Sequence, residues 1–242
     1  MSESLDFAKS PMCGASMKRT IQLHQGPTME VIVGADVDQR MTWYLPKALL
    51  SHHSGFFRAA CNQPFKEGLE NTITLSDVDP KVFEVFVQWL YHDRFPCDFA
   101  TIGCDLQLRV WPGFQTWILG DKFMAKEFQD CSMRWIWEYH APHGDEGVAV
   151  ILPEEAQYCY ENTLPKSKLR KFVSDSLCQS WGDSAYACDK LGWESVFVDH
   201  MELALDVLFH SGGYARRTVK SVESYFENPF HNGQPHASPA TT

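Results

Sequence analysis

The spacing of apolar residues divides the chain into a short strand-forming region and a long helical one. From Thr28 to Gly34, Met29, Val31 and Val33 occupy every second position around a β-branched centre, which is the period of a half-buried strand. A polar turn, Ala35-Asp36-Val37-Asp38-Gln39, leads to a second run, Met41–Leu45, and the two predict a β-hairpin with a loop longer than the tight two-residue type. Pro46 suits the first position of a short helix through Leu49, Leu50 and His53, where a missing N–H costs nothing. Ser54 is placed to cap a second short helix, Phe56–Cys61. Thr72–Leu75 predicts a third strand, with Ile73 and Leu75 on one face.

Helical periodicity then takes over. Asp79 caps and Pro80 opens a helix running to Tyr91, in which Val82, Phe83, Phe86, Val87, Trp89 and Leu90 follow i, i+3, i+4 spacing and face a core. Residues 92–112 are irregular, and helices are predicted over Gly113–Met124 and Lys126–Tyr139. Ala141-Pro142-His143-Gly144-Asp145 breaks the pattern and marks a domain boundary. Beyond it, Pro153-Glu154-Glu155 starts a helix with the negative charge its N-terminus favours. Ser167 caps the next helix, whose stripe is Leu169, Phe172, Val173, Ser176, Leu177 and Trp181, and a third runs from about Trp193 to Phe209, ending at Gly212-Gly213. The expected organisation is a lead-in over residues 1–27, a domain over 28–140, a helical segment over 147–227 and a disordered tail over 228–242.

Composition narrows the function classes. The net charge of −10 is shared: residues 28–140 carry 10 Lys and Arg against 15 Asp and Glu, and residues 141–228 carry 8 against 14. Neither part offers the positive footprint that neutralising phosphates requires, so direct nucleic-acid binding is not expected. The basic run Lys166, Lys168, Arg170, Lys171 reads as a solvated helix face. No stretch supplies the roughly 20 apolar residues of a membrane helix, and no secretory leader is read at the N-terminus. The 8 cysteines are scattered without a Cys-x-x-Cys pair, which points away from a zinc site and toward buried thiols in a reducing compartment. Asp36 and Asp38 read as turn residues and not as cation ligands. His52 and His53 diverge by about 100° on a helix and do not share a metal. No phosphate loop, nucleophile elbow or His-Glu-x-x-His is present, so neither cofactor nor catalysis is expected.

One ordered set of motifs is more specific. Leu49-Leu50-Ser51-His52-His53-Ser54-Gly55-Phe56-Phe57 is followed by Phe65-Lys66-Glu67, Ile73-Thr74-Leu75-Ser76-Asp77, Asp79-Pro80 with Phe83, Trp89-Leu90-Tyr91 and Leu119-Gly120-Asp121-Lys122-Phe123. Over about residues 28–139 this series resembles the BTB/POZ family, and with the helices after it looks like the BTB proteins of filamentous fungi. The resemblance implies an α+β fold: a small sheet with a β-hairpin, flanked by a helical cluster, followed by an all-α C-terminal segment. It makes Leu49, Leu50, Phe56, Phe57, Phe83, Phe86, Leu90 and Tyr91 fold-core residues. Pro46-Lys47 stands where the family often has a His-Lys pair, and the long N-terminal helix that BTB dimers exchange is missing, which puts a homodimer in doubt.

The same resemblance implies a protein–protein interaction module, and the cysteine usage makes an intracellular location, nucleus and/or cytoplasm, the expectation. Phe65, Lys66 and Glu67 resemble the hydrophobic-x-Glu motif through which some family members dock cullin scaffolds, which implies a substrate adaptor for a cullin-based ubiquitin ligase. Two alternatives stand beside it: a cullin-independent BTB scaffold in a transcriptional or structural assembly, and, more remotely, an unrecognised Cys or Ser hydrolase.

Overall fold

The alternating segments close into a three-stranded sheet in the computed structural model, which describes residues 21–62, 70–92, 95, 110–140, 151–181, 190–212 and 217–228. Strand β1 (Thr28–Val33) pairs antiparallel with β2 (Met41–Pro46), from Thr28 opposite Pro46 to Val33 opposite Met41. It also pairs in parallel with β3 (Thr72–Leu75), Val31 lying opposite Ile73, so the strand order is β2-β1-β3. Met29, Val31 and Val33 are buried, as are Ile73 and Leu75. A parallel neighbour requires a crossover, and helices α1 (Lys47–His53) and α2 (Gly55–Asn62) lie within it. Pro46 ends β2 and α1 begins one residue later, at Lys47.

The long hairpin loop is built as the turn chemistry requires. Asp36 Oδ1 accepts the Asp38 amide at 3.1 Å and caps a 3-10 turn over Val37–Gln39, so this Asp-x-Asp is a turn device. Gly34 adopts φ +116° where its amide donates to the Leu75 carbonyl at 3.0 Å, and a Cβ there would stand 3.2 Å from the Pro80 side chain. Both the backbone conformation and the space demand glycine.

Helix α3 (Pro80–His92) starts where Asp79 Oδ1 accepts the Lys81 amide at 2.7 Å. It buries Val82, Phe83, Val85, Phe86, Trp89 and Leu90. The rings of Phe57, Phe83 and Phe86 surround that of Phe123, with centroids 5.0, 6.0 and 5.1 Å away, in tilted and edge arrangements that suit aromatic quadrupoles. Leu49, Leu50, Phe57, Phe83, Phe86 and Leu90 are core residues. The other two residues expected in the core differ. Phe56 is half-buried and stacks on Phe123 at 5.5 Å. Tyr91 is 40% exposed, because at 100° per residue it falls on the side of α3 opposite Phe86.

The chain divides into two compact units, the first comprising residues 1–102, 119–127 and 228–242, the second residues 103–118 and 128–227. The interruption expected at residues 141–145 and the tail beyond residue 228 lie outside the described residues. Among the described residues, six α-helices run through this half of the sequence: α4 (Pro112–Lys122), α5 (Lys126–His140), α6 (Pro153–Asn162), α7 (Lys168–Ser180), α8 (Lys190–Asp199) and α9 (Met201–His210). Residues 119–127, the end of α4 and the start of α5, belong to the first unit. In the second unit, Phe114, Trp117, Met133 and Ile136 share one core with Phe172, Leu177, Trp193, Leu203 and Tyr225.

Helix α7 is central to that core. Its predicted stripe is buried, Trp181 partly so, and Ser174, Asp175 and Cys178 are buried as well, so it has almost no solvent face. Ser167 caps it, accepting the Arg170 amide at 3.2 Å. The single helix expected from Trp193 to Phe209 is two: His200 leaves helical geometry at φ −127°, ψ 70° between α8 and α9. Apolar residues continue through the break, so hydrophobicity alone gives no sign of it.

Candidate protein-interaction surface

Phe65, Lys66 and Glu67 fall in the segment 63–69, outside the described residues. The two elements that bound this segment are firmly set. At the start of α2, Ser54 is fully buried; its Oγ accepts the Phe57 amide at 3.1 Å and donates to the Phe123 carbonyl at 2.6 Å. Arg58, on the second turn, donates through Nε to the Ser51 carbonyl at 2.9 Å and holds α2 to α1. On the far side, the Glu30 amide donates to the Asn71 carbonyl at 2.8 Å, and the Thr72 hydroxyl donates to Glu30 Oε2 at 3.0 Å. The Tyr44 hydroxyl donates to the other Glu30 oxygen at 2.8 Å, and this bond to a carboxylate holds the phenol above its ordinary pKa. Asn71, just before β3, adopts φ 55°, a left-handed turn that asparagine tolerates.

Within the basic run, Arg170 is a clamp and not the solvated charge expected of it. Arg170 donates from Nη2 to the Tyr160 carbonyl at 2.6 Å and also to the Thr163 carbonyl, and from Nε to Thr163 Oγ1 at 3.0 Å. It pairs with Glu202 and lies 4.6 Å over the Tyr160 ring. Its planar fork thus ties the end of α6 to α7 and α9, satisfying carbonyls that a helix end leaves open. Lys171 pairs with the buried Asp175 at 2.9 Å and lies 4.7 Å from the Tyr225 ring. Lys166 remains exposed.

Glu155, read in the sequence only as a helix-start charge, is buried. It accepts the Leu152 amide at 2.9 Å and also a Trp111 backbone bond, and it stands 3.6 Å from the buried Nε2 of His140. Burial, opposed by these backbone bonds, raises its carboxyl to about 7. The carboxylate therefore joins the approach to α4, the end of α5 and the start of α6.

Two of the described thiols, Cys159 and Cys178, are poorly suited to nucleophilic work. Cys61, Cys159 and Cys178 form no disulfide, and Cys159 and Cys178 are buried. Burial pushes Cys159 up to about 12 and Cys178 up to about 11, so both remain protonated at neutral pH. Among the described residues no group of three or more His, Cys, Asp or Glu is arranged to hold a metal ion, and no helix is long and apolar enough to cross a membrane.

Comparison with known proteins adds two findings. The family model described as BTB/POZ domain matches residues 23–108. BTB/POZ and MATH domain-containing protein 5 of Arabidopsis thaliana is 23% identical over 168 residues, covering 67% of this chain and 41% of that protein. The chain thus spans about two fifths of the length of this curated relative. The relative is a plant protein, so the expected likeness to fungal BTB proteins draws no support from it.

Proposed function

Residues 23–108 are a BTB/POZ domain, a protein–protein interaction module, and on that premise we propose that the chain is a substrate adaptor for a cullin-based ubiquitin ligase. The observation that carries the finer reading is Phe65-Lys66-Glu67, in the segment between α2 and β3. A phenylalanine supplies an apolar anchor to a partner, and a carboxylate two residues on adds a directional, charge-assisted bond. Well-anchored flanking elements support the reading, since a segment whose ends are already fixed loses less entropy on binding. In this reading the BTB domain meets the scaffold, and the helices after residue 151 hold a client or extend the scaffold contact.

The role is one of binding, not catalysis: the protonated, buried Cys159 and Cys178 support this, as does an interaction fold at the N-terminal side. The buried thiols of Cys159 and Cys178 are also in keeping with a reducing compartment, hence a nuclear or cytoplasmic location, which imaging of a fluorescent fusion would test. Co-purification of the full chain from cell extract tests the adaptor role. Recovery of a cullin, reduced by Phe65→Ala/Glu67→Ala, is the expected result. Recovery unchanged by that variant removes the role given to these residues. Partners recovered without any cullin would replace the reading with a scaffold in another assembly, and the solution mass would show whether a homodimer forms.

A further inference from the structure

Five of the large apolar side chains that remain exposed lie within twelve residues of one another. Val198, near the end of α8, and Met201, Leu205, Leu208 and Phe209 on α9 are 44–72% exposed. On α9 the four fall within about a 100° arc, directly opposite the buried Leu203 and Val207. Single exposed apolar residues need no explanation, but a contiguous stripe at helical spacing marks a recognition surface. Methionine, leucine and phenylalanine are also the side chains that receive an amphipathic helix.

Charge around the stripe identifies the occupant. Residues 191–212 contain four acids, Glu194, Asp199, Glu202 and Asp206, and neither lysine nor arginine. Glu194 lies one turn before Val198 and is exposed, and Asp199 is exposed beside Val198. Glu202 and Asp206 border the stripe on its Phe209 side. Arg170 pairs with Glu202, yet the arginine side chain keeps 12% of its surface and the glutamate 53%, so the charge turned outward is the acid. At Asp206 the pairing with Arg217 at 2.9 Å is more even. The result is an apolar stripe with an acidic border. A second copy of the chain would bring two such borders together, at a repulsive cost, whereas cationic residues flanking an apolar face would complement it.

We propose that the exposed α9 stripe of Met201, Leu205, Leu208 and Phe209, with Val198 just before the break at His200, receives an amphipathic helix of a partner protein, one whose apolar face is flanked by Lys or Arg. This gives the C-terminal helices a client-holding surface of defined chemistry, and it does not depend on whether the BTB domain binds a cullin.

The test uses the full chain and two synthetic helical peptides of about 18 residues. Both carry the same leucine face; one is flanked by lysine and the other by glutamate. Titration by fluorescence anisotropy should show the lysine peptide binding at least about tenfold more tightly, an advantage that shrinks as salt is raised. Leu205→Ser/Leu208→Ser should weaken that binding about tenfold or more, and Glu194→Lys/Asp199→Lys should erase the preference between peptides. All four positions are exposed, so circular dichroism is expected to show an unchanged fold. Equal affinity for the two peptides overturns the proposal, as does a Leu205/Leu208 variant that binds like the parent. Sedimentation giving a dimer that Leu208→Ser disperses would assign the stripe to a second copy instead. No cullin enters this assay, so its failure is distinct from failure of the co-purification.

Discussion

Ser54 and Phe123, 69 residues apart in sequence, are joined by a buried hydrogen bond of 2.6 Å from the serine hydroxyl to the phenylalanine carbonyl. The same oxygen caps α2 through the Phe57 amide. One hydroxyl thus satisfies a helix start and a carbonyl at the end of α4, and holds the backbone of Phe123 where its ring enters the aromatic cluster. Ser54→Ala removes both bonds and leaves a buried carbonyl without this donor. The expected loss is about 1–3 kcal/mol, read as a lower urea midpoint with unchanged slope.

Truncation within that cluster should separate core from periphery. Phe86→Ala, in contact with Phe57, Phe83 and Phe123, is expected to cost about 3–5 kcal/mol. Tyr91→Ala, five residues on and exposed, should stay within about 0.5 kcal/mol. Equilibrium denaturation of the two variants side by side checks the contrast, and similar losses would contradict the assignment of Tyr91 to the outer side of α3.

Arg170 should resist conservative replacement. Its fork reaches Tyr160 and Thr163 together, a geometry that a single ammonium does not reproduce. Arg170→Lys is expected to destabilise by roughly 1.5–3 kcal/mol, while Lys166→Ala, exposed before the same helix, should be nearly neutral. Differential scanning calorimetry of both variants distinguishes a clamp from a solvated charge.

Glu155 makes stability depend on pH. Its carboxyl is raised from an ordinary 4.5 to about 7, so the folded chain binds its proton more tightly than the unfolded chain does. The contribution is fully present below about pH 4.5 and is lost as pH climbs through about 7. His140 faces the same carboxyl, and Glu154 adds repulsion nearby. Relative to Glu155→Gln, which stays neutral, the parent's thermal midpoint should fall between pH 5 and pH 8. Parallel midpoint curves for the two proteins would show that the carboxyl does not titrate there.

What the sequence by itself determined is what rests on near neighbours. Strand alternation through Met29, Val31 and Val33, the helical stripe of α3, and the caps at Ser54, Asp79 and Ser167 all depend on bonds or side-chain spacing within a few residues. The motif series from Leu49 to Phe123 was legible for the same reason. Tertiary structure decided the rest. The parallel pairing of β1 with β3 joins residues more than 40 apart, and no local signal encodes it. Arg170 reads as a surface charge until α6 and α9 surround it, and Glu155 as a helix-start charge until His140 and Trp111 enclose it. In the same way, Leu203 and Leu205 are equivalent on paper. Packing buries the first and leaves the second on an open stripe, because burial is a property of what the neighbouring helices cover and not of the residue itself.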